Sequence, residues 1–413
     1  CIRDRTPTRH AVMLSVDGLR KKFPIFKSNQ ELVYLDSAST TQKPQVVIDA
    51  VNQYYSSYNA NVHRALYEIG DKATNEYESV RNKVRNFLKV PDTHEIIFTS
   101  GTTESINLVA YSWGLNNLKR EKGVLVTEME HHSNLVPWQI ISQKTSSPLK
   151  HIPLNNNGTL EISKIESYLN GIGIISLVHQ SNVFGTINPV SEIVNVAKSN
   201  NVASLIDGAQ AAPHFPVDLS EIDCDFYTFS GHKMVGPTGV GVLIGRKSLL
   251  EEMDPFMGGG EMINNVKLDS STWNEIPWKF EAGTPNIAQV IGLGKALDFL
   301  NEIGLETIKG HEDNLLKFAL DSLSKIDDIT LYGDPPDRGA VIPFNIKNVH
   351  SHDLAKFLDT DHICIRAGHH CAQPLLSKLN ETATARLSTY LYNDEQDIDK
   401  LCKALNEIIS YFT

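Results

Sequence analysis

A lysine in a glycine-rich loop is the first feature of this sequence that could do chemistry. Lys233 ends the run Ser230-Gly-His-Lys233, and Gly236 and Gly239 follow it closely. Glycine is used where the backbone must turn tightly or where another group must approach. An ordinary surface lysine needs no such setting, so we interpret Lys233 as a functional amine.

An acid at the end of a neighbouring segment supplies a partner for this lysine. Residues 201–210 predict a buried strand that ends on Asp207 and is followed by a turn. A lysine that forms an imine with an aldehyde, with an acid that holds a pyridinium nitrogen, is the pairing that pyridoxal phosphate requires. Short motifs often match by accident, so the pair alone leaves that alternative open.

A threonine pair joins a predicted strand to a predicted helix. In Gly101-Thr-Thr-Glu104, Thr102 and Thr103 add hydroxyl donors to the free N–H groups of a helix N-terminus, which favour a phosphate. Plain N-capping is the alternative, because serine and threonine cap helices routinely.

Polar side chains follow two further predicted strands. His131 and His132 come directly after the strand at 123–127, where ligands bind in open α/β sheets. An imidazole can stack on a pyridine ring and exchange protons near neutral pH. We predict no metal site, because adjacent histidines rarely face one ion and no spaced set of ligands accompanies them. Asn182 and Gln210 could hydrogen-bond to a ring or a substrate, or could simply form turns.

Cys371 is the cysteine that we interpret as reactive. It lies in the loop Arg366-Ala-Gly-His-His-Cys371, where the neighbouring histidines and arginine favour the thiolate. Cys364 and Cys402 lie in apolar patterns typical of core packing, and Cys224 lies between two aspartates that disfavour its thiolate.

Arg386, in a run of small and polar residues, could hold a carboxylate in a bidentate fork. A surface salt bridge is the alternative reading of this arginine.

Length and composition limit the possible classes of protein. The 413 residues carry a net charge of -11, which argues against a nucleic-acid or anionic-membrane binder. No apolar run approaches the ~18 residues of a spanning helix. An odd count of five cysteines does not make a disulfide framework and argues against secretion. The chain starts at Cys1, and residues 1–14 could be a transit-peptide remnant or a tag.

Apolar strand patterns alternate with helical patterns over most of the chain, which predicts an α/β fold with a mostly parallel sheet covered by helices. We predict an N-terminal segment at 1–30, a large domain at 31–292 and a smaller α+β C-terminal domain at 293–413 that carries the Cys371 loop.

Together, the motifs resemble the cysteine desulfurases, which are pyridoxal-phosphate-dependent enzymes of fold type I, and in particular the SUF-type (group II) branch. The matching stretches, in order, are Leu35-Asp-Ser-Ala38, Asn61-Val-His63-Arg64, Gly101-Thr-Thr-Glu104-Ser-Ile-Asn107, Met129-Glu-His131-His132, Asp207-Gly-Ala-Gln210, Ser230-Gly-His-Lys233, Gly258-Gly-Gly260, Phe280-Glu-Ala-Gly-Thr284-Pro-Asn286 and Arg366-Ala-Gly-His-His-Cys371.

The resemblance implies a role for each of these positions. Lys233 would bind pyridoxal phosphate covalently, His131 would stack on its ring, and Cys371 would accept sulfur. Asp207 would hold the ring nitrogen and Gln210 the ring hydroxyl. The residues implied to hold the phosphate are Thr102, Thr103, Ser230, His232 and, from the second subunit of a homodimer, Thr284. Those implied to bind or lie near the substrate are Arg386, Asn182, His63 and Arg366.

The resemblance also implies the reaction, which converts L-cysteine to L-alanine and leaves a persulfide on Cys371. A SufE- or SufU-like acceptor would then take the sulfur to the SUF scaffold for iron–sulfur cluster assembly. A selenocysteine lyase, or a scaffold that has lost catalysis, is the alternative. The expected location is a plastid-type organelle in a eukaryote and otherwise the cytoplasm.

Overall fold

The computed structural model describes residues 15–412 of the chain, so the predicted transit remnant or tag at 1–14 lies outside the described residues. The strands are β1 (Val33–Tyr34), β2 (His94–Thr99), β3 (Gly123–Thr127), β4 (Leu149–Ile152), β5 (Ile172–Val178), β6 (Ala203–Asp207), β7 (Phe226–Ser230), β8 (Gly241–Arg246), β9 (Ile263–Val266), β10 (Ser271–Trp273), β11 (Ile329–Leu331), β12 (Val341–Ile346), β13 (Ile363–Cys364), β14 (Arg366–Gly368) and β15 (Thr384–Ser388). The α-helices are α1 (Val16–Arg20), α2 (Pro24–Ser28), α3 (Gln45–Ser57), α4 (Glu68–Phe87), α5 (Thr102–Val109), α6 (Leu115–Asn117), α7 (Val136–Thr145), α8 (Ile165–Tyr168), α9 (Val190–Ser199), α10 (Leu219–Ile222), α11 (Lys247–Glu252), α12 (Ile287–Ile303), α13 (Leu305–Leu323), α14 (Ser351–Thr360), α15 (Gln373–Lys378) and α16 (Glu395–Phe412).

A seven-stranded sheet forms the centre of the large domain, in the order β2-β8-β7-β6-β5-β3-β4. The five strands β7, β6, β5, β3 and β4 run parallel to one another, and β8 is antiparallel to both β2 and β7. Every residue of β5 is buried, because helices cover both faces of the sheet. The predicted α/β fold with a mostly parallel sheet is confirmed.

The parallel strands bring several predicted site residues to one edge of this sheet. His131, Asn182 and Asp207 follow or end β3, β5 and β6, and Lys233 follows β7 through a single turn of 3₁₀-helix. Because parallel strands end at the same edge, side chains far apart in sequence meet there.

The smaller C-terminal unit is built on an antiparallel sheet in the order β11-β12-β15-β14. Strand β1 pairs in parallel with β13, and Val33 and Leu35 join the same apolar core as Leu387. Residues 33–35, which lie within the range 31–292 predicted for the large domain, therefore pack with this smaller unit.

Two features of the chain differ from the sequence-based expectation. The apolar pattern of residues 288–323 predicts one helical block, but the structure divides it into α12 and α13 at Gly304, whose φ of 87° is one that L residues rarely adopt. Residue 293, the predicted domain boundary, lies inside α12, and the division itself stays a prediction. The antiparallel pair β9–β10 was not predicted, because its side chains are mostly exposed and lack an apolar pattern.

Candidate active site

A cavity of about 580 Å³ lies at the carboxyl ends of the parallel strands, beside the small antiparallel sheet. The predicted residues that line it are Thr102, Thr103, His131, Asn182, Asp207, Gln210, Ser230, His232, Lys233, Arg366, Cys371 and Arg386. Both units of the chain thus contribute to one site.

The backbone around Lys233 is held by a loop from the start of the chain. The carbonyl oxygen of His232 accepts hydrogen bonds from the hydroxyls of Thr40 and Thr41, both at 3.1 Å, and from Nζ of Lys43 at 2.9 Å. Burial lowers the pKa of the Lys233 amine, because a low-dielectric environment disfavours the ammonium form. The neutral, nucleophilic amine is favoured accordingly.

Asp207 and Gln210, which also line the cavity, present groups that suit the polar edge of a pyridine ring. The buried Asp207 carboxyl accepts the backbone N–H of Ala209 through Oδ1 at 2.9 Å. Nε2 of Gln210 donates to the carbonyl of Ala38 at 2.7 Å, while Oε1 of the same amide is buried without a partner. A ring hydroxyl would satisfy this orphaned acceptor, so the residues present fit pyridoxal phosphate.

His131 is held in one tautomer by its own turn. Its Nδ1 accepts the backbone N–H of Ser133 at 3.1 Å, so the neutral ring carries its proton on Nε2. Burial lowers the pKa of His131 to about 3, with a smaller contribution from Lys233. The imidazole is therefore neutral at physiological pH.

Hydroxyl groups and a helix N-terminus gather at the end of the cavity that suits a phosphate. Ser230 Oγ accepts the backbone N–H of Thr102, the first residue of α5, at 2.9 Å. The hydroxyls of Thr103 and Ser133 hydrogen-bond to each other at 2.7 Å. Free N–H groups and the dipole at a helix N-terminus favour an anion here.

The Cys371 loop is strained and tied to the large domain. His370 and Cys371 have φ values of 52° and 54°, a region that costs L residues roughly 1–2 kcal/mol each. The backbone N–H of His132 donates to the Cys371 carbonyl at 2.7 Å, and Nδ2 of Asn182 donates to the His370 carbonyl at 2.8 Å. These bonds hold Cys371, which is exposed at the cavity, in a fixed position.

Arg386 is a fully buried guanidinium with an unused donor. Its Nη1 donates to the carbonyl of Asn182 at 2.9 Å, and its Nη2 contacts Asp36 and Ser39. Nε is buried without a partner. Because an unpaired buried donor is costly, a carboxylate in the cavity would complete the hydrogen bonding of this side chain.

Two predicted site residues lie away from this cavity in the same chain. His63 pairs with Glu78 at 2.7 Å and packs edge-on against Tyr77, and the exposed Thr284 lines a separate depression. Their roles at the site stay predictions, as do the individual roles of the residues that line the cavity.

Sequence reasoning missed several residues that the fold brings to the cavity: Ser39, Ser133, His352 and His369 line it, and Asp36 pairs with both predicted arginines. Asp36 lies in a stretch that carried the family resemblance, but its position in the sequence does not indicate its partners. Within residues 15–412, no group of three or more potential metal ligands is present and no helix is long and apolar enough to cross a membrane.

Comparison with known proteins identifies the family. Residues 33–401 match the aminotransferase class-V family. A probable cysteine desulfurase of Halalkalibacterium halodurans is 51% identical over 403 residues, which cover 97% of this chain and 99% of the relative. The chain belongs to the cysteine desulfurase family. A cysteine desulfurase of Haloferax volcanii is 43% identical over 95% of this chain and 96% of its own length.

Solved structures of the family agree with this assignment. The crystal structure of the cysteine desulfurase CsdA from Escherichia coli matches with a TM-score of 0.91 and 38% identity, over 97% of this chain and 100% of that one. The apo structure of the Thermococcus onnurineus cysteine desulfurase matches with a TM-score of 0.92 and 34% identity, over 98% of this chain and all of that one. Cysteine desulfurases of aminotransferase class V depend on pyridoxal phosphate, and the groups around Lys233 and Asp207 fit that cofactor.

Proposed function

We propose that this chain converts L-cysteine to L-alanine and carries the released sulfur as a persulfide on Cys371. The observation that carries the proposal is that Lys233, Arg386 and Cys371 line one cavity. An amine, a carboxylate-binding guanidinium and a thiol are the three groups that this reaction needs from the protein.

Arg386 binds and orients the substrate. Its Nε–H is buried without a partner, so a carboxylate oxygen bound beside it can accept this hydrogen bond, while the Asn182 carbonyl accepts one from Nη1. Fixing the α-carboxylate brings the α-carbon to a defined position relative to Lys233.

Lys233 moves the α-proton. Burial favours its neutral amine, and a neutral amine can accept a proton from the α-carbon and return one. Pyridoxal phosphate, when bound, supplies the electron sink for the pair left on that carbon. Asp207 supplies a buried carboxyl whose pKa burial raises, and His131 supplies a neutral ring that holds its proton at Nε2.

Cys371 accepts the sulfur. Its thiolate forms an S–S bond to the substrate sulfur while the bond from that sulfur to the β-carbon breaks. The electron pair of the broken bond stays on the β-carbon, which takes up a proton. The thiol is oxidised to a persulfide and the β-carbon is reduced to the methyl group of alanine, so no external oxidant is needed.

Alanine formation and the mass of Cys371 test this proposal together. In Cys371→Ser we expect sustained alanine formation from L-cysteine to fall to background, while the visible absorption of the bound cofactor is retained. The control is Cys364→Ser, a half-buried thiol in β13, which should keep activity. Mass spectrometry of the wild type should find one additional sulfur atom on Cys371.

Turnover of L-cysteine by Cys371→Ser at the wild-type rate, with a sulfur acceptor present, would contradict the role of this thiol. Turnover of L-selenocysteine alone by that variant would instead favour a selenocysteine lyase.

The sulfur acceptor is proposed to be a SufE- or SufU-like protein that serves the SUF scaffold in iron–sulfur cluster assembly. The exposure of Cys371 and the short loop around it support direct transfer to a second protein. Adding a SufE- or SufU-like protein should increase the rate of alanine formation. An unchanged rate with either acceptor would argue against this pathway.

A homodimer is proposed as the working form. Exposed apolar side chains are consistent with it, since Leu66 is 99% exposed and Trp273 45% exposed. The position of Thr284 outside the cavity of its own chain is consistent with a contribution to the second subunit. Analytical ultracentrifugation should give twice the monomer mass of 45.9 kDa.

The proposed location is a plastid-type organelle if the source is eukaryotic and the cytoplasm otherwise. The arginines near the start of the chain and the free thiols support it. Fluorescence microscopy of the full-length chain fused to a reporter in its source cell would test it, and secretion of the fusion would refute it.

A further inference from the structure

A carboxylate of the chain itself already lies between the two arginines beside the cavity. Oδ1 of Asp36 accepts Nη2 of Arg386 at 3.2 Å, and Oδ2 of Asp36 pairs with Nη2 of Arg366 at 2.9 Å. Asp36 is 9% exposed and Arg386 only 2% exposed. A single buried carboxylate thus bridges both guanidinium groups.

Ser39 completes the arrangement. Its hydroxyl donates to Oδ1 of Asp36 at 2.7 Å and accepts from Nε of Arg366 at 3.0 Å and from Nη2 of Arg386 at 2.8 Å. With Nη1 of Arg386 bonded to the Asn182 carbonyl, the Arg386 guanidinium cannot rotate without breaking several hydrogen bonds. The donor left over is Nε, which is buried and unpartnered.

The charges in this cluster sum to one positive charge. Two guanidinium groups and one carboxylate leave a net charge of about +1, since arginine stays protonated. The buried imidazoles of His131 and His370 add none, because burial lowers the pKa of both to about 3. One substrate carboxylate would neutralise this end of the cavity, and a second would bring an uncompensated charge close to Asp36.

We propose that Asp36 is a specificity-determining residue that orients Arg386 and limits the site to substrates with a single carboxylate. The proposal rests on the proposed function, in which Arg386 binds the carboxylate of cysteine. Asp36 does not touch the reacting atoms; it acts through the arginines, so it is a positioning residue.

Competitive inhibition by two anions of equal carbon number tests the proposal. Propionate carries one carboxylate and malonate carries two, and their inhibition constants are measured against L-cysteine with alanine formation as the readout. In Asp36→Asn the net charge of the cluster rises to +2. The affinity for malonate should therefore increase relative to the affinity for propionate by on the order of tenfold. The ratio of the two constants cancels any general loss of affinity caused by a misplaced Arg386.

Ser39→Ala is the matched control, because it removes a hydrogen-bond partner of both arginines without changing the charge. We expect it to weaken the binding of both anions and to leave the ratio of their inhibition constants unchanged. Arg366→Gln changes the charge in the opposite direction, so malonate should lose relative to propionate. This second variant keeps the test decisive if Asp36→Asn does not fold.

Three outcomes separate the inference from the proposed function. A ratio that shifts in opposite directions in Asp36→Asn and Arg366→Gln supports the role of Asp36. An unchanged ratio in the charge variants, with propionate still competing in the wild type, overturns that role alone. Failure of propionate to compete with L-cysteine in the wild type overturns the carboxylate site of the proposed function itself.

Discussion

Glu130, a buried carboxyl next to His131, makes the stability of this protein depend on pH. Its Oε1 accepts from the Thr127 hydroxyl at 2.5 Å and from the backbone N–H of Val178 at 3.1 Å, and its Oε2 accepts from Nδ2 of Asn134 at 2.6 Å. These bonds connect the ends of β3 and β5 below the cavity. No cationic partner faces the carboxyl among the contacts of residues 15–412.

The size of this pH dependence follows from the pKa of Glu130. Burial raises the pKa of Glu130 to about 8, against an ordinary value of roughly 4.3 for an unfolded chain. The folded state therefore holds a proton that the unfolded state has released between these values, so the contribution of Glu130 to stability falls as the pH rises through this window. Integration between pH 6 and 8 gives a loss of about 2 kcal/mol.

Urea unfolding of wild type and Glu130→Gln at pH 6 and pH 8 measures this loss. Because glutamine does not titrate, the free energy of unfolding of the wild type relative to the variant should fall by about 2 kcal/mol between the two pH values. The control is Glu128→Gln, which removes a carboxylate two residues away that is partly exposed and paired with Lys378. A wild type and Glu130→Gln that respond equally to pH would refute a protonated Glu130.

Two further variants test buried ionisable groups that do not line the cavity. Glu281→Gln removes one partner of the buried bidentate pair with Arg81, whose N···O distances are 2.8 and 2.7 Å. The free energy of unfolding should therefore fall by about 3–5 kcal/mol. The control Glu275→Gln, at an exposed position, should change it little, and an equal change in both variants would contradict the burial argument. Burial lowers the pKa of Lys43 to about 7. Between this pH and about pH 10.4 the folded state has released a proton that the unfolded state keeps. The contribution of Lys43 to the free energy of unfolding should therefore increase with pH in this range. From pH 7 to 9 the wild type should gain about 2 kcal/mol over Lys43→Met, while an exposed control, Lys27→Met, should show no such trend.

Reactive side chains at the ends of strands or in glycine-rich loops could be recognised from the sequence before the fold was known. Lys233 follows a strand into a glycine-rich loop, Asp207 ends a strand, and Cys371 lies in a loop of glycine and histidine. All three line the cavity. Lys233 and Asp207 come together because the ends of parallel strands converge at one edge of a sheet, and the Cys371 loop follows β14 of the small antiparallel sheet. Residue type and strand pattern are local properties, so one sequence is enough to reveal them.

The polar supports of the site could not be found in this way. Asp36 and Arg386 are 350 residues apart in the chain, and neither position indicates the other. The apolar periodicity of the sequence also did not predict the exposed hairpin β9–β10 or the division of the helical block at Gly304. Exposed strands carry no apolar alternation, and a single glycine within a helical pattern is often tolerated.

Residue types and their order along the chain determine the chemistry that is present: an amine and an acid at the ends of strands, a thiol in a loop, and an arginine in a run of small and polar residues. Only the tertiary structure decides the state in which these groups act. Burial makes His131 neutral and raises the pKa of Glu130. The folded chain places Asp36 between two arginines. Solvation and charge pairing depend on neighbours that are distant in sequence, so these properties arise only when the chain has folded.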